Sequence, residues 1–223
     1  MNLTLFDLDN TLLPLDSDYE WGQFLSRIGA VEPVSFAKRN AGFLAQYQDG
    51  TLDPVEYLEF AFSTLARFPR QQLDLWHAQF MDEVIHPAIR PQARALLQEH
   101  QQAGDLVAII TATNRFVTAP IAKAFGVEHL IAAEPELAAG GDITGRLLGV
   151  PPFGSGKVVN TEQWLGSLGK NLQDFGRSTF YSDSQNDIPL LSAVTHPVAT
   201  NPNARLAAHA TAHGWPILNL FDD

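Results

Sequence analysis

Hydrophobic and polar positions along the chain follow two regimes. Residues 2–8 (NLTLFDL), 105–111 (DLVAIIT), 129–134 (HLIAAE), 177–183 (RSTFYSD) and 195–200 (THPVAT) are short, largely apolar runs. Such runs mark strands buried on both faces, as in parallel sheets. Helix-like stretches separate them at 91–102, 114–125, 156–168, 187–193 and 203–213, and Gly104 and Gly126 stand where helix-ending glycines belong. Strands alternating with helices predict a parallel sheet covered by helices on both faces.

Between residues 14 and 86 the alternation stops. No strand is evident, and helices are predicted over 17–28, 33–48, 54–66 and 69–84. Trp21, Phe24, Leu25 and Ile28 recur at helical spacing, and Pro33, Pro54 and Pro69 suit first-turn positions. The pattern therefore predicts an all-helical insert of roughly 70 residues after the first strand, with His86-Pro87 and Arg90-Pro91 as the return linker. Residues 134–150 carry Gly140-Gly141 in their middle and predict a small hairpin or flap.

Composition narrows the functional classes. Of 223 residues, 45% are hydrophobic and 17% charged, which fits a globular chain of one domain or a core with an insert. Fourteen Lys and Arg against 25 Asp and Glu give a net charge of −11, and there is no basic run, so no nucleic-acid partner is expected. The absence of cysteine removes disulfides, thiol nucleophiles and Cys-ligated metals. The longest stretches without charge contain His, Pro and Asn, so no membrane span is expected. The first six residues lead straight into a strand with no basic leader, so a cytoplasmic location is expected.

The sharpest chemical signal is FDLDNTLL at 6–13. Asp7 and Asp9 are two apart at the end of a buried strand, where open α/β sheets bind ligands. A bare pair of carboxylates there repels itself and loses hydration, so it calls for a cation; the plainer reading is an acidic loop capping the next helix. Three more signals fall at other strand or helix ends. ITATN (110–114) places Thr111 and Ala112 before a helix start, a natural anion site. GSGKVVN brings Lys157, and YSDSQND brings Asp183, Asn186 and Asp187. Up to four carboxylates would then crowd one site. At ~4 Å and an effective dielectric near 20, each like-charge pair costs on the order of 4 kcal/mol. One lysine cannot offset that, whereas a divalent cation can.

In type, order and spacing these boxes resemble the haloacid dehalogenase superfamily, in its phosphoserine-phosphatase-like branch, over essentially the whole chain. The resemblance implies a Rossmann-like α/β core (1–13 plus 87–223) and an inserted helical cap (14–86). Asp7 would be the nucleophile that forms an aspartyl-phosphate, and Asp9 the acid and then the base. Thr111 and the following amides, Ala112 first, would hold the phosphoryl oxygens. Lys157 would neutralise them, and Asn186 would sit near the phosphate. Asp7, the Asp9 carbonyl, Asp183 and, indirectly, Asp187 would hold Mg²⁺, a hard ion for hard oxygen ligands. DLDNTLL followed by DSDYEW, ITATNRFVTAP and YSDSQNDIPLL further resembles a bacterial group of small-molecule phosphatases, some of which act on histidinol phosphate.

The expected partner is thus a small phosphorylated metabolite, and the chain is expected to be a monomer or homodimer. Hydrolysis of a phosphomonoester leads. Phosphotransfer to an alcohol and a non-catalytic phosphate-binding module are the alternatives. For the substrate, an amino-alcohol phosphate is preferred over phosphoserine. Phosphoserine needs a cap arginine for its carboxylate, and Arg27, Arg39, Arg67 and Arg70 are the candidates. Asp16, Asp18 and Glu20 either supply helix N-terminal charge or meet a substrate ammonium, and Asp16 loosely matches the position of the acid that phosphoserine phosphatases use. Arg115 either reaches an anion or is a solvated first-turn residue. GSGK is no phosphate-binding loop of the nucleotide type, since Pro151 and Val158 stand where glycine and a hydroxyl residue are needed. His209 and His213 are read as structural, not as a metal pair.

Overall fold

The computed structural model describes residues 1–221, and Asp222 and Asp223, the last two of the expected core segment, lie outside them. The chain opens with β1 (Leu3–Phe6) and then runs through α1 (Ser17–Arg27), α2 (Pro33–Asp49), α3 (Pro54–Leu65) and α4 (Arg70–Phe80). After a wide turn at Met81–Ile85 come α5 (His86–Ala88), α6 (Pro91–Gln102), β2 (Leu106–Asn114) and α7 (Arg115–Ala124). A hairpin of β3 (His129–Leu137) and β4 (Ile143–Leu148) follows, then α8 (Ser155–Ser167), β5 (Ser178–Ser182), α9 (Ile188–Ala193), β6 (His196–Thr200), α10 (Ala204–His213) and β7 (Ile217–Leu218).

The strands form one sheet in the order β4-β3-β2-β1-β5-β6-β7, parallel throughout except for β4. β1 lies centrally, with Phe6 registered on Ile109 and Tyr181, so the segments after β1, β2 and β5 leave the sheet at one edge. Side-chain alternation sorts the core into two layers. Phe6, Val107 and Ile109 face one side, whereas Leu3, Leu5, Ala108 and Ile110 face the other and pack with Leu165, Leu190 and Leu206. Trp21, Phe24, Phe62, Leu73 and Phe80 of the helical segment belong to the same apolar cluster as Phe6 and Ile109. The inserted helices thus continue the packing of one sheet face.

Local chemistry explains the helix starts. Asp16, Glu32 and Asp53 each accept two backbone N–H groups at the openings of α1, α2 and α3, and Pro33 and Pro54 occupy first turns. Four boundaries differ from the sequence expectation. Pro69 is the residue before α4 and not within it. β2 runs on to Asn114, three residues past Thr111, with an irregular register against β3 between Ile110 and Asn114. His86-Pro87 is helical, not linker: Pro87 cannot donate to a carbonyl one turn back, and the His86 N–H bonds to Met81 five residues away in a widened turn. β7, two residues at the sheet edge, is too short to show a period.

The flap at 134–150 is the antiparallel β3–β4 hairpin, and Gly141 turns it at φ +88°. β4 leans on α3, where Gly145 (φ +92°) stands 3.5 Å from the Ser63 backbone measured from a built Cβ position. No described helix is long and apolar enough to cross a membrane.

Candidate active site

Five buried side chains converge at the sheet edge beyond the C-terminal ends of β1 and β5. Asp7 leaves β1, Thr111 lies near the end of β2, Lys157 sits in the first turn of α8, and Asp183 and Asp187 follow β5; each is 7% exposed or less. The Lys157 ammonium donates to Asp7 Oδ1 at 2.7 Å and to Asp187 Oδ2 at 2.6 Å, and Asp187 also accepts from the Ser182 hydroxyl at 2.7 Å. Gly156 allows α8 to start this close, because a Cβ there would fall 2.0 Å from the Pro151 carbonyl oxygen. Burial alone would disfavour the charged ammonium, but the two carboxylates hold Lys157 well above its ordinary value.

Lys157 carries one charge for two carboxylates, and Asp183 adds a third without a close partner. Asp183 is buried, and its nearest protein donor is the Thr11 hydroxyl at 3.5 Å, which also lies 3.3 Å from Asp7 Oδ2. Both distances are at or past the limit of a useful O–H···O bond. Burial, with Asp7 and Asp187 adding repulsion, pushes Asp183 well above the carboxylate range. Burial likewise lifts Asp7 to about 7, against the pull of Lys157, with Asp187 and Asp9 pushing the same way.

This surplus of unpaired, buried oxygen charge fits a hard divalent cation between Asp7 and Asp183. Among the described residues no three His, Asp or Glu side chains group to hold an ion. The side chains therefore offer two ligands, and the rest of a shell would be carbonyl and water, the habit of Mg²⁺. Of the four carboxylates expected at the metal, Asp187 is engaged by Lys157 and Ser182, and the Asp9 side chain is turned to other donors.

Asp9 is half-buried and fixed from both oxygens. Oδ1 accepts the Ser17 N–H at 2.8 Å, and Oδ2 accepts the Thr113 hydroxyl at 2.8 Å. Burial and the nearby Asp16 raise it to about 6, although the bonds from Ser17 and Thr113 oppose the shift. Thr111 lies 3.5 Å from the same oxygen, and its Oγ1 accepts the Thr113 N–H at 3.1 Å. Thr113 is thus the closer partner of Asp9, and sequence reasoning passed over it although it stands in the ITATN run.

A cavity opens over this edge. Asp7, Asp9, Thr111, Ala112 and Thr113 form its floor, and Asp16, Asp18, Tyr19, Asn40 and Tyr57 one wall. Phe43, Leu44, Tyr47, Leu52, Pro54, Leu58, Pro151 and Phe153 complete an apolar lining, with no Lys, Arg or His among the lining residues.

The four candidate arginines lie elsewhere. Arg27 pairs with Glu83, Arg39 lies over Phe60 and Phe43, Arg67 over Phe68, and Arg70 pairs with Asp74 over Phe116. Arg115 is bound to Glu134 and the Leu130 carbonyl. Asn186 lies next to the acidic cluster, but its amide donates to the Tyr47 carbonyl at 3.2 Å, tying the end of α2 to the Asp183 loop. His209 and His213 stack on each other at 3.9 Å and pack on Trp215, away from this edge.

Tyr57, Asn40 and Asn114 also escaped the sequence reading. They sit on helices or at a helix cap, where a polar residue facing a cavity has the same spacing as one facing solvent.

Comparison with known proteins places this geometry. A family model described as haloacid dehalogenase-like hydrolase matches residues 4–192. A histidinol-phosphatase of Neisseria meningitidis serogroup C (strain 8013) is 43% identical over 219 residues, covering 98% of this chain and 99% of that protein. A phosphoserine phosphatase of Mycobacterium tuberculosis H37Rv is 33% identical over 215 residues, 95% of this chain and 68% of that protein. A crystal structure of a protein of unknown function from Bordetella pertussis Tohama I shares 50% identity with a TM-score of 0.94, each chain covered to 99%. A substrate-bound phosphoserine phosphatase shares the fold, with a TM-score of 0.68 at 19% identity over 97% of this chain and 91% of that one.

Proposed function

The chain belongs to the haloacid dehalogenase-like hydrolases and is a phosphatase, and from that premise we propose that it hydrolyses a small amine-bearing phosphomonoester, histidinol phosphate in the first place. The observation that carries this reading is the cavity lining: carboxylates and aromatic rings around the leaving-group end, and no basic side chain to meet a carboxylate. Histidinol phosphate offers an amine and an imidazole ring and no carboxylate. Phosphoserine would bring a carboxylate into a wall that already holds Asp16 and Asp18. The 43% identity to a histidinol-phosphatase over nearly the full length of both chains points the same way.

In this reading residues 14–86 are the cap over a core of 1–13 and 87–223. The Asp7 carboxylate attacks phosphorus, and the ester P–O bond breaks as an aspartyl-phosphate forms. Asp9, raised to about 6, gives its proton to the departing alkoxide. It then takes a proton from water, which attacks the aspartyl-phosphate to release inorganic phosphate and restore Asp7. The hydrogen bonds from Ser17 and Thr113 fix Asp9 for both proton transfers. Thr111, Ala112 and Lys157 cradle the phosphoryl oxygens, and Asp187 holds Lys157 in place. Asp7 and Asp183, with the Asp9 carbonyl, are the ligands for Mg²⁺, which when bound neutralises the dianionic phosphate against the surrounding acids.

A panel of phosphorylated metabolites tests this directly. The expected result is a kcat/KM for histidinol phosphate at least tenfold above that for phosphoserine, with inorganic phosphate as product. A preference for phosphoserine would overturn the substrate reading, and release of phosphate only onto an acceptor alcohol would turn the enzyme into a phosphotransferase.

A further inference from the structure

In the proposed reaction the phosphoryl oxygens take their donors from the core alone: Thr111 and the amides after it near the end of β2, and Lys157 at the start of α8. The helical insert brings one more hydroxyl to the same edge. Tyr47 stands in the last turn of α2 and lines the cavity together with Asp7 and Thr111. The residue is half-buried, and its ring lies 6.0 Å from that of Phe153, in the segment that leads into α8. Its hydroxyl is the inner end. Burial pushes this phenol well above its ordinary value, and the charges of Asp183, Asp7 and Asp187 add to the shift, although the neighbouring Ser184 side chain draws it down. The acids that press on Tyr47 thus belong to the phosphorus end of the cavity.

The last turn of α2 is fastened to the core. The closing carbonyls of a helix have no partner within it, and here the core supplies three donors. Asn186 donates its amide to the Tyr47 carbonyl at 3.2 Å, Gln185 to the Gln48 carbonyl at 3.3 Å, and the Arg205 guanidinium to the Asp49 carbonyl at 2.8 Å. Gly50 lets the chain turn away at once, at φ +74°. Gln185 and Asn186 lie on the loop that carries Asp183 and Asp187, so the Tyr47 backbone is tied to the segment whose acids its hydroxyl faces. Ser184 on that loop is fully buried, and its Oγ accepts the Asn186 N–H at 3.2 Å. Its own hydrogen is therefore left for the phenol oxygen, and the Tyr47 hydrogen is left for an acceptor in the cavity.

We propose that Tyr47 is a phosphoryl-binding residue: its hydroxyl donates a hydrogen bond to a phosphoryl oxygen from the side of the helical insert, and Gln185, Asn186 and Arg205 position it. A neutral donor suits this place. A phenol that stays protonated adds no charge to the acidic edge and offers its hydrogen to the anion beside it. The inference rests on the phosphoryl site of Asp7, Thr111 and Lys157 and is independent of the leaving group, because the bond goes to the part that every phosphomonoester shares. It gives the insert a task besides enclosing the leaving group: insert and core grip the same phosphoryl group.

The test uses orthovanadate, a phosphate analogue without a leaving group, and two esters, p-nitrophenyl phosphate and glycerol phosphate. Tyr47→Phe keeps the ring beside Phe153 and removes the hydroxyl. Its kcat/KM should fall by about 10- to 100-fold on both esters alike, the range for a lost hydrogen bond to a charged group, and its inhibition constant for vanadate should rise by a similar factor. Arg205→Ala, an exposed position outside the cavity, should raise the vanadate constant by roughly two- to fivefold through looser placement of α2. It serves as the test should Tyr47→Phe not fold. A purely packing role would lower the thermal midpoint of Tyr47→Phe and leave its vanadate constant as in wild type. That unmoved constant, or one unmoved in Arg205→Ala if only that variant folds, would overturn the proposal. So would a loss confined to one ester, which would make Tyr47 a reader of the leaving group. If vanadate inhibits wild type and Tyr47→Phe equally, this inference fails while the phosphoryl site stands; if it does not inhibit wild type, both fall. Histidinol phosphate takes no part, so the substrate reading is untouched by either result.

Discussion

A lone aspartate and an acidic cluster sit at opposite edges of one sheet and meet opposite fates. At the edge where β1 and β2 begin, Asp105 accepts from Asn2 at 3.0 Å, Thr4 at 3.1 Å and His100 at 2.8 Å. Its side chain is 6% exposed. Burial would raise it, but the donors outweigh burial and hold it below the usual carboxylate value. At the edge where β1 and β5 end, Asp183 is buried more deeply, has almost no donor and is driven up. The two differ in donors as well as in depth, so burial alone does not mark the candidate site. What marks it is an unmet demand for positive charge: the protein completes Asp105 itself and leaves Asp7 and Asp183 to be completed from outside.

The contrast can be broken most severely at Asp7, the proposed nucleophile. Asp7→Asn should lower kcat on every phosphomonoester by about 10⁴-fold or more, the scale on which removal of a nucleophile is felt. Steady-state assays on two unrelated esters check this, and turnover within tenfold of wild type would remove Asp7 from that role.

Lys157→Met comes next. It leaves Asp7 and Asp187 buried without their shared cation, and breaking such a pair costs about 3–5 kcal/mol. For a chain of this size that is a fall in Tm on the order of 10 °C, together with loss of turnover. A thermal melt of the folded variant measures it.

The metal sharpens the comparison through pH. Asp7 and Asp9 have folded-state values raised to about 7 and about 6 from 3.8. Groups raised in this way favour the folded state fully below their unfolded value, and that advantage is lost as pH rises through the folded values. Between pH 4 and 8 the metal-free edge therefore becomes a growing burden, which Mg²⁺ should relieve. The expected outcome is a Mg²⁺-induced rise in Tm that is larger at pH 8 than at pH 5, with activity lost to EDTA and restored by Mg²⁺. An equal rise at both pH values, or activity indifferent to EDTA, would sink the metal assignment.

The smallest effect belongs to the completed edge. Asp105→Asn should cost about 1 kcal/mol at neutral pH, the scale of an ordinary hydrogen bond, and leave turnover alone. Asp105 is held below 3.8, so its contribution is present above that unfolded value and disappears as pH falls through the folded one. The Tm difference between wild type and Asp105→Asn should thus shrink below about pH 4. A difference that stays constant from pH 7 to pH 3 would mean the carboxylate's charge is not what stabilises that edge.

The alternation of apolar runs with helical stretches announced the parallel sheet, because a strand buried on both faces has nowhere to place polar residues. Asp7, Asp9, Thr111, Lys157, Asp183 and Asp187 were legible for a related reason. Each lies at or near a strand end or opens a helix, and a polar residue next to such an apolar run stands out from its neighbours. The boundaries that shifted, at Thr111–Asn114 and at His86-Pro87, are places where hydrogen bonding beyond the local sequence decides where an element ends.

The chain's own pattern thus determined the sheet, the helical insert and the acids at the strand ends, since periodicity and strand-end position are properties of neighbouring residues. Only the tertiary structure decided which acids stay unpaired. Asp16 and Asp18 are alike in sequence, yet Asp16 accepts two backbone N–H groups of the helix it begins through one oxygen, whereas Asp18 accepts side-chain donors through both. Partners such as Tyr57 and Asn114 are supplied by segments about 40 and 96 residues away. Pairing is a matter of distance in space, and a one-dimensional pattern carries no record of it.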